Sequence, residues 1–201
     1  MTAWGFAALG YQIASRAAYV IPVGLVLARE ARRPDSERKD LGACEARYQH
    51  FRRWASVMMN HDAFALILLS VVTRHTLQAG TTGNAVMLGV GGALVVIGLG
   101  IKGWAAARLG SEAYYWRNFF VPMPRTAPDP PGPYRYLQNP MYTVGYAQAY
   151  GLALVLRSWP GLLGAAVAQG AILVFHLLVE KPHYQALQAG EPGLAAEARG
   201  R

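Results

Sequence analysis

The sequence predicts an all-α integral membrane protein, a bundle of about five transmembrane helices that ends in a helical hairpin. Hydrophobic residues make up 53% of its 201 residues and charged residues only 15%, whereas about a quarter of a soluble domain is charged. The apolar residues gather in runs close to the roughly 20 residues that a helix needs to cross a bilayer. The basic residues are concentrated between those runs, as in membrane proteins.

Five apolar runs qualify as transmembrane helices, at residues 4–28, 54–72, 84–107, 140–156 and 160–179. Only three residues separate the last two runs, so these helices must form a tight antiparallel hairpin. We therefore expect one membrane domain over residues 1–201. It comprises a three-helix part (1–107), an interfacial strap on the cytoplasmic side (108–139), and the hairpin with a cytoplasmic tail (140–201).

The Lys and Arg residues predict the orientation of the bundle. Fifteen of the 19 lie in segments that five spans place on one side: eight in 29–53, four in 108–139 and three in 180–201. The opposite side holds only Arg74 and Arg157. Because basic loops stay in the cytoplasm, we expect an N-terminus outside and a C-terminus inside, in the cell inner membrane. The net charge of +8 then reflects topology and does not indicate nucleic-acid binding.

Several single residues carry expectations of their own. Arg16 lies near the middle of the first span, where a structural ion pair and a lipid-headgroup role are equally open. Lys102 is close enough to the cytoplasmic end for its side chain to extend to the interface. Cys44, the one cysteine, is expected to be a solvated surface thiol in a charged loop. The glycines of the third span indicate close helix packing; they are Gly89, Gly91, Gly92, Gly98, Gly100 and Gly103.

The predicted strap has two parts. An aromatic and basic run at 114–120 is typical of the membrane interface. The proline-rich residues 122–131 cannot form a helix, and we expect this proline-rich link to cross the cytoplasmic face as an extended strap.

Polar and aromatic residues precede the fourth span. Pro140 fits the first turn of a helix, and Asn139 is a natural N-cap beside free N–H groups that favour an anionic ligand. An ordinary capped helix start with interfacial tyrosines explains the same residues.

The fifth span ends in a second polar segment. His176 and Glu180 are four residues apart and share a helix face, and an ionisable residue inside a span is a functional candidate. The alternative is that Glu180 and Lys181 anchor the helix at the interface. Because the last two helices form a hairpin, we expect Asn139 and Glu180 to meet at its cytoplasmic end.

These segments also carry a resemblance. Asn-Pro-Met-Tyr at 139–142, Trp-Pro-Gly-Leu-Leu at 159–163 and Glu-Lys-Pro at 180–182 resemble the phosphatidylethanolamine N-methyltransferase branch of a superfamily that includes isoprenylcysteine carboxyl methyltransferases. The resemblance covers roughly residues 109–184. It implies that S-adenosylmethionine binds at the cytoplasmic end of the hairpin. The cofactor-binding residues that it implies are Leu109, Gly110, Tyr134, Tyr136, Asn139, Pro140, Tyr142 and Glu180.

The chain departs from the family pattern at two places. The family usually ends its last helix with two adjacent glutamates, and here Lys181 takes the second position. The glycine-rich motif that follows the third helix of the phospholipid branch is here reduced to Leu109-Gly110, followed by Ser111-Glu112-Ala113.

The resemblance implies a methyltransferase that moves a methyl group from S-adenosylmethionine to a lipid, with a phospholipid amine as the first choice of acceptor. Glu180 would bind the ammonium group of the cofactor, and aromatic faces would stabilise its sulfonium. An amine acceptor must lose a proton, for which His176, His183 and the pair His61–Asp62 are candidates. We expect no metal, and we expect a lipid and the bilayer as partners.

Three other functions remain open at this point. The first is carboxyl methylation of a prenylated or other lipophilic substrate. The second is a nicotinamide-dependent membrane reductase, because sterol-type reductases share a similar hairpin, although such an enzyme should not need Glu-x-Pro at the end of its last helix. The third is a non-catalytic lipid-binding relative, which Lys181 favours.

Overall fold

The computed structural model describes residues 2–122, 132–137 and 139–188. Most of the predicted proline-rich link and of the cytoplasmic tail lies outside these residues. The described residues contain helices and turns and no strand, which confirms the all-α prediction. The α-helices are α1 (Ala3–Ala31), α2 (Asp35–Arg38), α3 (Leu41–Val72), α4 (Gly80–Tyr114), α5 (Ala147–Val155), α6 (Trp159–Phe175) and α7 (Lys181–Gln188). A π-helical turn, His176–Glu180, joins α6 to α7, and 3-10 turns lie at Arg117–Phe119, Gly132–Arg135 and Val144–Tyr146.

Four helical segments of the described chain are long and apolar enough to cross a membrane: Ala3–Ala31, Leu41–Val72, Gly80–Phe119 and Trp159–Leu187. Large apolar side chains face outward along them, as Val96 and Leu99 do on α4 at 71% and 56% exposure. Outward-facing apolar surface along helices of this length is typical of membrane proteins, which confirms the membrane prediction.

The fourth predicted span is shorter than expected. Its helical part, Val144–Val155, is about 18 Å long at 1.5 Å per residue, against roughly 30 Å for the hydrocarbon core. The bundle therefore has four full-length helices and one short helical segment.

Asn139 does not cap this helix, and that prediction is wrong. α5 begins at Ala147, because the preceding backbone groups are bonded elsewhere. The side-chain amide of Gln169 on α6 donates to the carbonyl oxygens of Tyr142 and Thr143, at 3.0 and 3.4 Å. The residues before α5 consequently form turns instead of continuing the helix.

The predicted hairpin of α5 and α6 is confirmed. Ser158 caps α6 by accepting a hydrogen bond of 2.8 Å from the N–H of Gly161. Its hydroxyl also lies 2.6 Å from that of Thr73, and the N–H of His75 donates to the carbonyl of Leu156 at 3.0 Å. The hairpin turn and the α3–α4 loop therefore meet at one end of the bundle.

Two glycines of α4, together with Gly151 of α5, let the two helices pack with their backbones nearly in contact. A Cβ on Gly91 would lie 2.8 Å from the carbonyl oxygen of Gly151, and a Cβ on Gly98 would collide with the backbone nitrogen of Gln148. This arrangement is typical of membrane helices with small residues at the interface. The predicted packing role is thus confirmed for two of the six glycines. The others meet nothing within 4 Å; they are Gly89, Gly92, Gly100 and Gly103.

The aromatic run after α4 is mostly buried, in contrast to its predicted interfacial position. Trp116, Phe119 and Phe120 are at most 3% exposed and belong to the main core cluster. Trp116 packs edge-on against Phe51 of α3 and Phe175 of α6, with ring centroids 6.2 and 5.7 Å apart. The chain leaving α4 thus turns back into the bundle, where these large apolar rings gain more from burial than at the interface.

Cys44 is fully buried, so its prediction as a surface thiol is wrong. The connection between α1 and α3 contains the short helix α2, whose end covers the first turn of α3. The thiol sulfur lies 3.9 and 3.8 Å from the carbonyl oxygens of Glu37 and Arg38. Composition alone did not show that this charged segment folds against α3.

The packing of α4 on α5 predicts unequal effects at two glycines of the same helix. Gly98→Ala should lower the thermal unfolding temperature in detergent, because overpacking costs about 1–3 kcal/mol. Gly100→Ala is the matched control, since its Cβ meets nothing and alanine favours a helix by up to about 1 kcal/mol. Equal unfolding temperatures for the two variants would contradict the close approach.

Candidate active site

The side chain of Glu180 joins three segments at the end of the bundle opposite the hairpin turn. The residue is only 5% exposed. Its Oε1 accepts hydrogen bonds from the indole N–H of Trp116 and from the hydroxyl of Tyr142, the latter at 2.9 Å. Its Oε2 lies 2.7 Å from Nδ1 of His176. The predicted convergence of the segment before the hairpin with the end of the last helix is therefore confirmed.

Local backbone geometry explains the position of Glu180. Pro182 lacks an N–H, and in a continuous α-helix its ring would clash with the carbonyl four residues earlier. The chain widens into a π-turn at His176–Glu180, directly before this proline. Such turns are rare in proteins and frequently occur at functional sites.

Trp116 adopts a left-handed backbone conformation, with φ 57° and ψ 35°. Bulky residues rarely adopt this conformation, which costs roughly 1–2 kcal/mol. The hydrogen bond to a buried carboxylate and the burial of the indole ring offset that cost. Sequence reasoning missed Trp116, although a buried tryptophan generally needs a partner for its N–H.

The carboxylate of Glu180 has no Lys or Arg partner within the described part of the chain. Two of its hydrogen-bond donors are neutral, and His176 contributes a positive charge only when protonated. A buried charge without a counter-charge is costly. A carboxylate offers about four acceptor positions, so Glu180 retains capacity for a further donor. The site is therefore suited to a ligand with a positively charged group.

A cavity of about 120 Å³ lies beside these residues. One group of lining residues comprises the Glu180 partners Trp116 and Tyr142, together with Tyr114. A second group is charged and comes from α1, α3 and α4; its members are Arg16, Asp62 and Lys102. The cavity thus connects the surroundings of Glu180 with ionisable residues of the N-terminal helices.

Tyr134 is the one predicted cofactor residue with an unused polar group beside Glu180. Its hydroxyl is buried without a hydrogen-bond partner among the described residues. Burial raises the pKa of Tyr134 to about 12, and the charges of Glu180 and of ionised Tyr114 act in the same direction. The hydroxyl therefore stays protonated and can donate a hydrogen bond.

The other predicted cofactor residues divide into two groups. Asn139 and Pro140 lie in the turns next to Tyr142, with Pro140 buried. Tyr136 is 77% exposed. Of all the predicted cofactor residues, only Tyr142 is among the described residues that line the cavity, so neither Leu109 nor Gly110 belongs to its lining. Gly110 instead interrupts the helical backbone of α4 with φ 77°.

The candidate proton acceptors have different surroundings. His183 stacks on Phe119, with ring centroids 3.7 Å apart, and its Nε2 donates to the carbonyl of Asn118 at 3.2 Å. His61 is bonded through both ring nitrogens to hydroxyl groups of α1. Asp62 is the only one of these candidates among the described residues that line the cavity.

The two basic residues within the spans also face the cavity. Arg16 forms the ion pair that was one of its two predicted roles, with 2.6 Å between its Nη2 and Oδ2 of Asp62. Lys102 was expected to extend to the interface, but it lines the cavity near this pair. The expectation failed because the sequence did not show the polar space between the helices.

Comparison with known families covers the C-terminal half of the chain. The family model described as phospholipid methyltransferase matches residues 86–188, just over half of the chain. This region contains Trp116, Tyr142, His176 and Glu180. The chain belongs to the phospholipid methyltransferase family.

Curated relatives of this phospholipid methyltransferase family member include three fungal proteins, each named phosphatidylethanolamine N-methyltransferase. That of Schizosaccharomyces japonicus is 27% identical over 73% of this chain and 16% of its own length. Those of Talaromyces marneffei and Emericella nidulans are 31% and 30% identical, each over 66% of this chain and over 13% and 14% of their own lengths. The chain thus spans about one seventh of the length of these relatives. No solved structure matches it significantly.

Proposed function

We propose that this family member transfers a methyl group from S-adenosylmethionine to the amine headgroup of a membrane phospholipid, with phosphatidylethanolamine as the first acceptor to test. The observation that carries the proposal is the buried carboxylate of Glu180, which has no Lys or Arg partner in the described chain and adjoins an aromatic cavity. The names of the fungal relatives support the choice of acceptor.

The residues present fit the cofactor. Glu180 has acceptor capacity for an ammonium group, and Trp116, Tyr114 and Tyr142 offer aromatic faces that stabilise a cation such as a sulfonium. The unpartnered hydroxyl of Tyr134 can donate to a carboxylate. S-adenosylmethionine carries all three groups and, when bound, supplies a methyl group activated by the positive sulfur.

The chain would contribute positioning more than covalent chemistry. Good alignment of two reacting groups supplies up to about 7–11 kcal/mol. His176 holds Oε2 of Glu180, while Trp116 and Tyr142 hold Oε1, so the carboxylate is fixed before any ligand arrives. The amine must lose a proton, and Asp62 is the candidate acceptor in the cavity lining.

Lys181 does not weaken the proposal. Its side chain is exposed at the start of α7, and it makes no ion pair with the described acidic residues. The Glu180 cluster is complete without a second glutamate at this position. The substitution therefore gives no structural reason to prefer a non-catalytic relative.

We propose that the Glu180 end of the bundle faces the cytoplasm, with the N-terminus outside and the protein in the cell inner membrane. The distribution of basic residues supports this orientation. The hairpin turn and the α3–α4 loop meet at the opposite end of the bundle. Their only Lys or Arg residues are Arg157 and Arg74.

Introduced cysteines test the orientation, because native Cys44 is buried and unsuitable for labelling. In a Cys44→Ala background, Gln78→Cys should react with a membrane-impermeant maleimide in intact cells. Lys39→Cys should react only after the cells are opened. The reverse pattern would place Glu180 on the outer side.

Glu180→Gln tests cofactor binding, because it keeps the size of the side chain and removes its charge. A charge-assisted hydrogen bond contributes about 1.5–3 kcal/mol, so the affinity for S-adenosylmethionine should fall roughly ten- to a hundredfold. Calorimetry on the purified protein measures the dissociation constant, and Glu37→Gln, at an exposed glutamate, is the control variant. A reduced nicotinamide cofactor, titrated separately, tests the reductase alternative. An unchanged dissociation constant would remove Glu180 from the cofactor site.

The acceptor is tested by comparing phosphatidylethanolamine in bilayers with free ethanolamine in solution, using radiolabelled S-adenosylmethionine. Because each methylene moved into water costs about 0.8 kcal/mol, the lipid must reach the site from the membrane. We expect label in the lipid and almost none in the free amine. Equal labelling of both would indicate a closed, water-facing site. Label in neither, with cofactor still bound, would favour another lipophilic acceptor.

A further inference from the structure

Three ionisable residues from different helices lie around the cavity. Arg16 of α1 and Asp62 of α3 form an ion pair, and their side chains are only 7% and 5% exposed. Lys102 of α4 lines the same cavity and has no ion-pair partner within the described residues. The cluster therefore contains two cations and one carboxylate, and its net charge is positive.

Several polar atoms of this cluster have no hydrogen-bond partner within the described chain. They are Nε of Arg16, Oδ1 of Asp62 and Oε1 of the neighbouring Gln148. Buried polar groups in proteins nearly always have partners. The cavity therefore offers donors and a surplus positive charge together with acceptors for a positively charged group. A ligand that carries both an anionic group and an ammonium group would complement this arrangement.

We propose that these residues bind the zwitterionic headgroup of the phospholipid acceptor, with Arg16 and Lys102 on its phosphate and Asp62 on its ammonium. The proposal rests on the proposed function for the location of the amine beside the methyl donor. Arg16 of α1 and Asp62 of α3 lie before residues 86–188, which match the family model. The proposal therefore extends the site beyond the matched region. The phosphate can use the unpartnered Nε, and the ammonium can use Oδ1 of Asp62 and Oε1 of Gln148.

The packing of the helices leaves a route for the acyl chains. α1 packs on α3, and α4 packs on α5, whereas the described residues of α3 and α4 approach each other closely at few positions. One of these is the 3.4 Å hydrogen bond that the hydroxyl of Tyr48 donates to the carbonyl of Glu112. The cavity is lined by Met59 and Ala63 from α3 and by Lys102 from α4, and so lies between these two helices. Phe64 and Trp104, at 57% and 43% exposure, present apolar surface on these helices. A headgroup can thus enter between α3 and α4 while its acyl chains stay in the bilayer.

The test measures lipid binding directly, by native mass spectrometry of the purified protein in detergent. Three lipids with matched acyl chains separate the two halves of the site. Phosphatidylethanolamine carries a phosphate and an amine, phosphatidylglycerol carries only the phosphate, and a diacyl aminopropane lipid carries only the amine.

Lys102→Met should weaken binding of both phosphate lipids by about tenfold or more and leave the amine-only lipid unchanged. Asp62→Asn should weaken both amine lipids and spare phosphatidylglycerol. Arg16→Gln/Asp62→Asn removes both charges together, which avoids a lone buried charge, and should weaken all three lipids. Lys39→Met, at an exposed lysine outside the cavity, should change none.

Unchanged binding of all three lipids by Lys102→Met and by the double variant, with unfolding temperatures close to that of the unaltered protein, would overturn the headgroup site. This outcome is distinguishable from failure of the proposed function. If the unaltered protein methylates phosphatidylethanolamine but the variants show none of the lipid-selective losses of binding, only the headgroup site is refuted. If the variants show the lipid-selective losses but the unaltered protein transfers no methyl group, the headgroup site is supported and the proposed reaction is refuted.

Discussion

The structure depends most on one buried carboxylate. Glu180 is bonded to Trp116 after α4, to Tyr142 before α5 and to His176 in the π-turn, so it ties together segments far apart in sequence. Two features that are costly by themselves, the left-handed backbone of Trp116 and the π-turn, both serve to place this group. Their persistence beside a charge without a Lys or Arg partner in the described chain is typical of a binding site under strain.

The cavity beside Glu180 adjoins the short fourth pass of the chain. Because α5 begins only at Ala147, the residues before it form turns, and Met141 and Tyr142 of these turns line the cavity. The near contact of α4 and α5 at Gly91 and Gly98 holds α4 against the hairpin, and in the described chain α4 approaches α3 closely at few positions. In the proposed headgroup site, this arrangement leaves room for a lipid to enter between α3 and α4.

Sequence patterns sufficed for features that depend on local composition. The lengths of the apolar runs predicted the membrane helices. The three-residue link predicted the hairpin, and hence that the segment beginning at Asn139 meets the end of the last helix at Glu180. The features that were missed depend on tertiary contacts. Gln169 bonds carbonyl groups that would otherwise extend α5, α2 covers Cys44, and the bundle leaves polar space for Lys102. Trp116 was missed because an aromatic residue near a span end is expected at the interface.

The central claim is that Glu180 receives the ammonium group of the methyl donor. The most direct measurement is an experimental structure of the protein with S-adenosylhomocysteine, the demethylated product, which binds without reacting. We predict that its amino nitrogen lies about 3 Å from a carboxylate oxygen of Glu180, with its sulfur among the aromatic rings that line the cavity. A bound product whose amino group lies elsewhere, with the hydrogen bonds of Glu180 to Trp116 and Tyr142 intact, would contradict the account and leave this carboxylate a purely structural role.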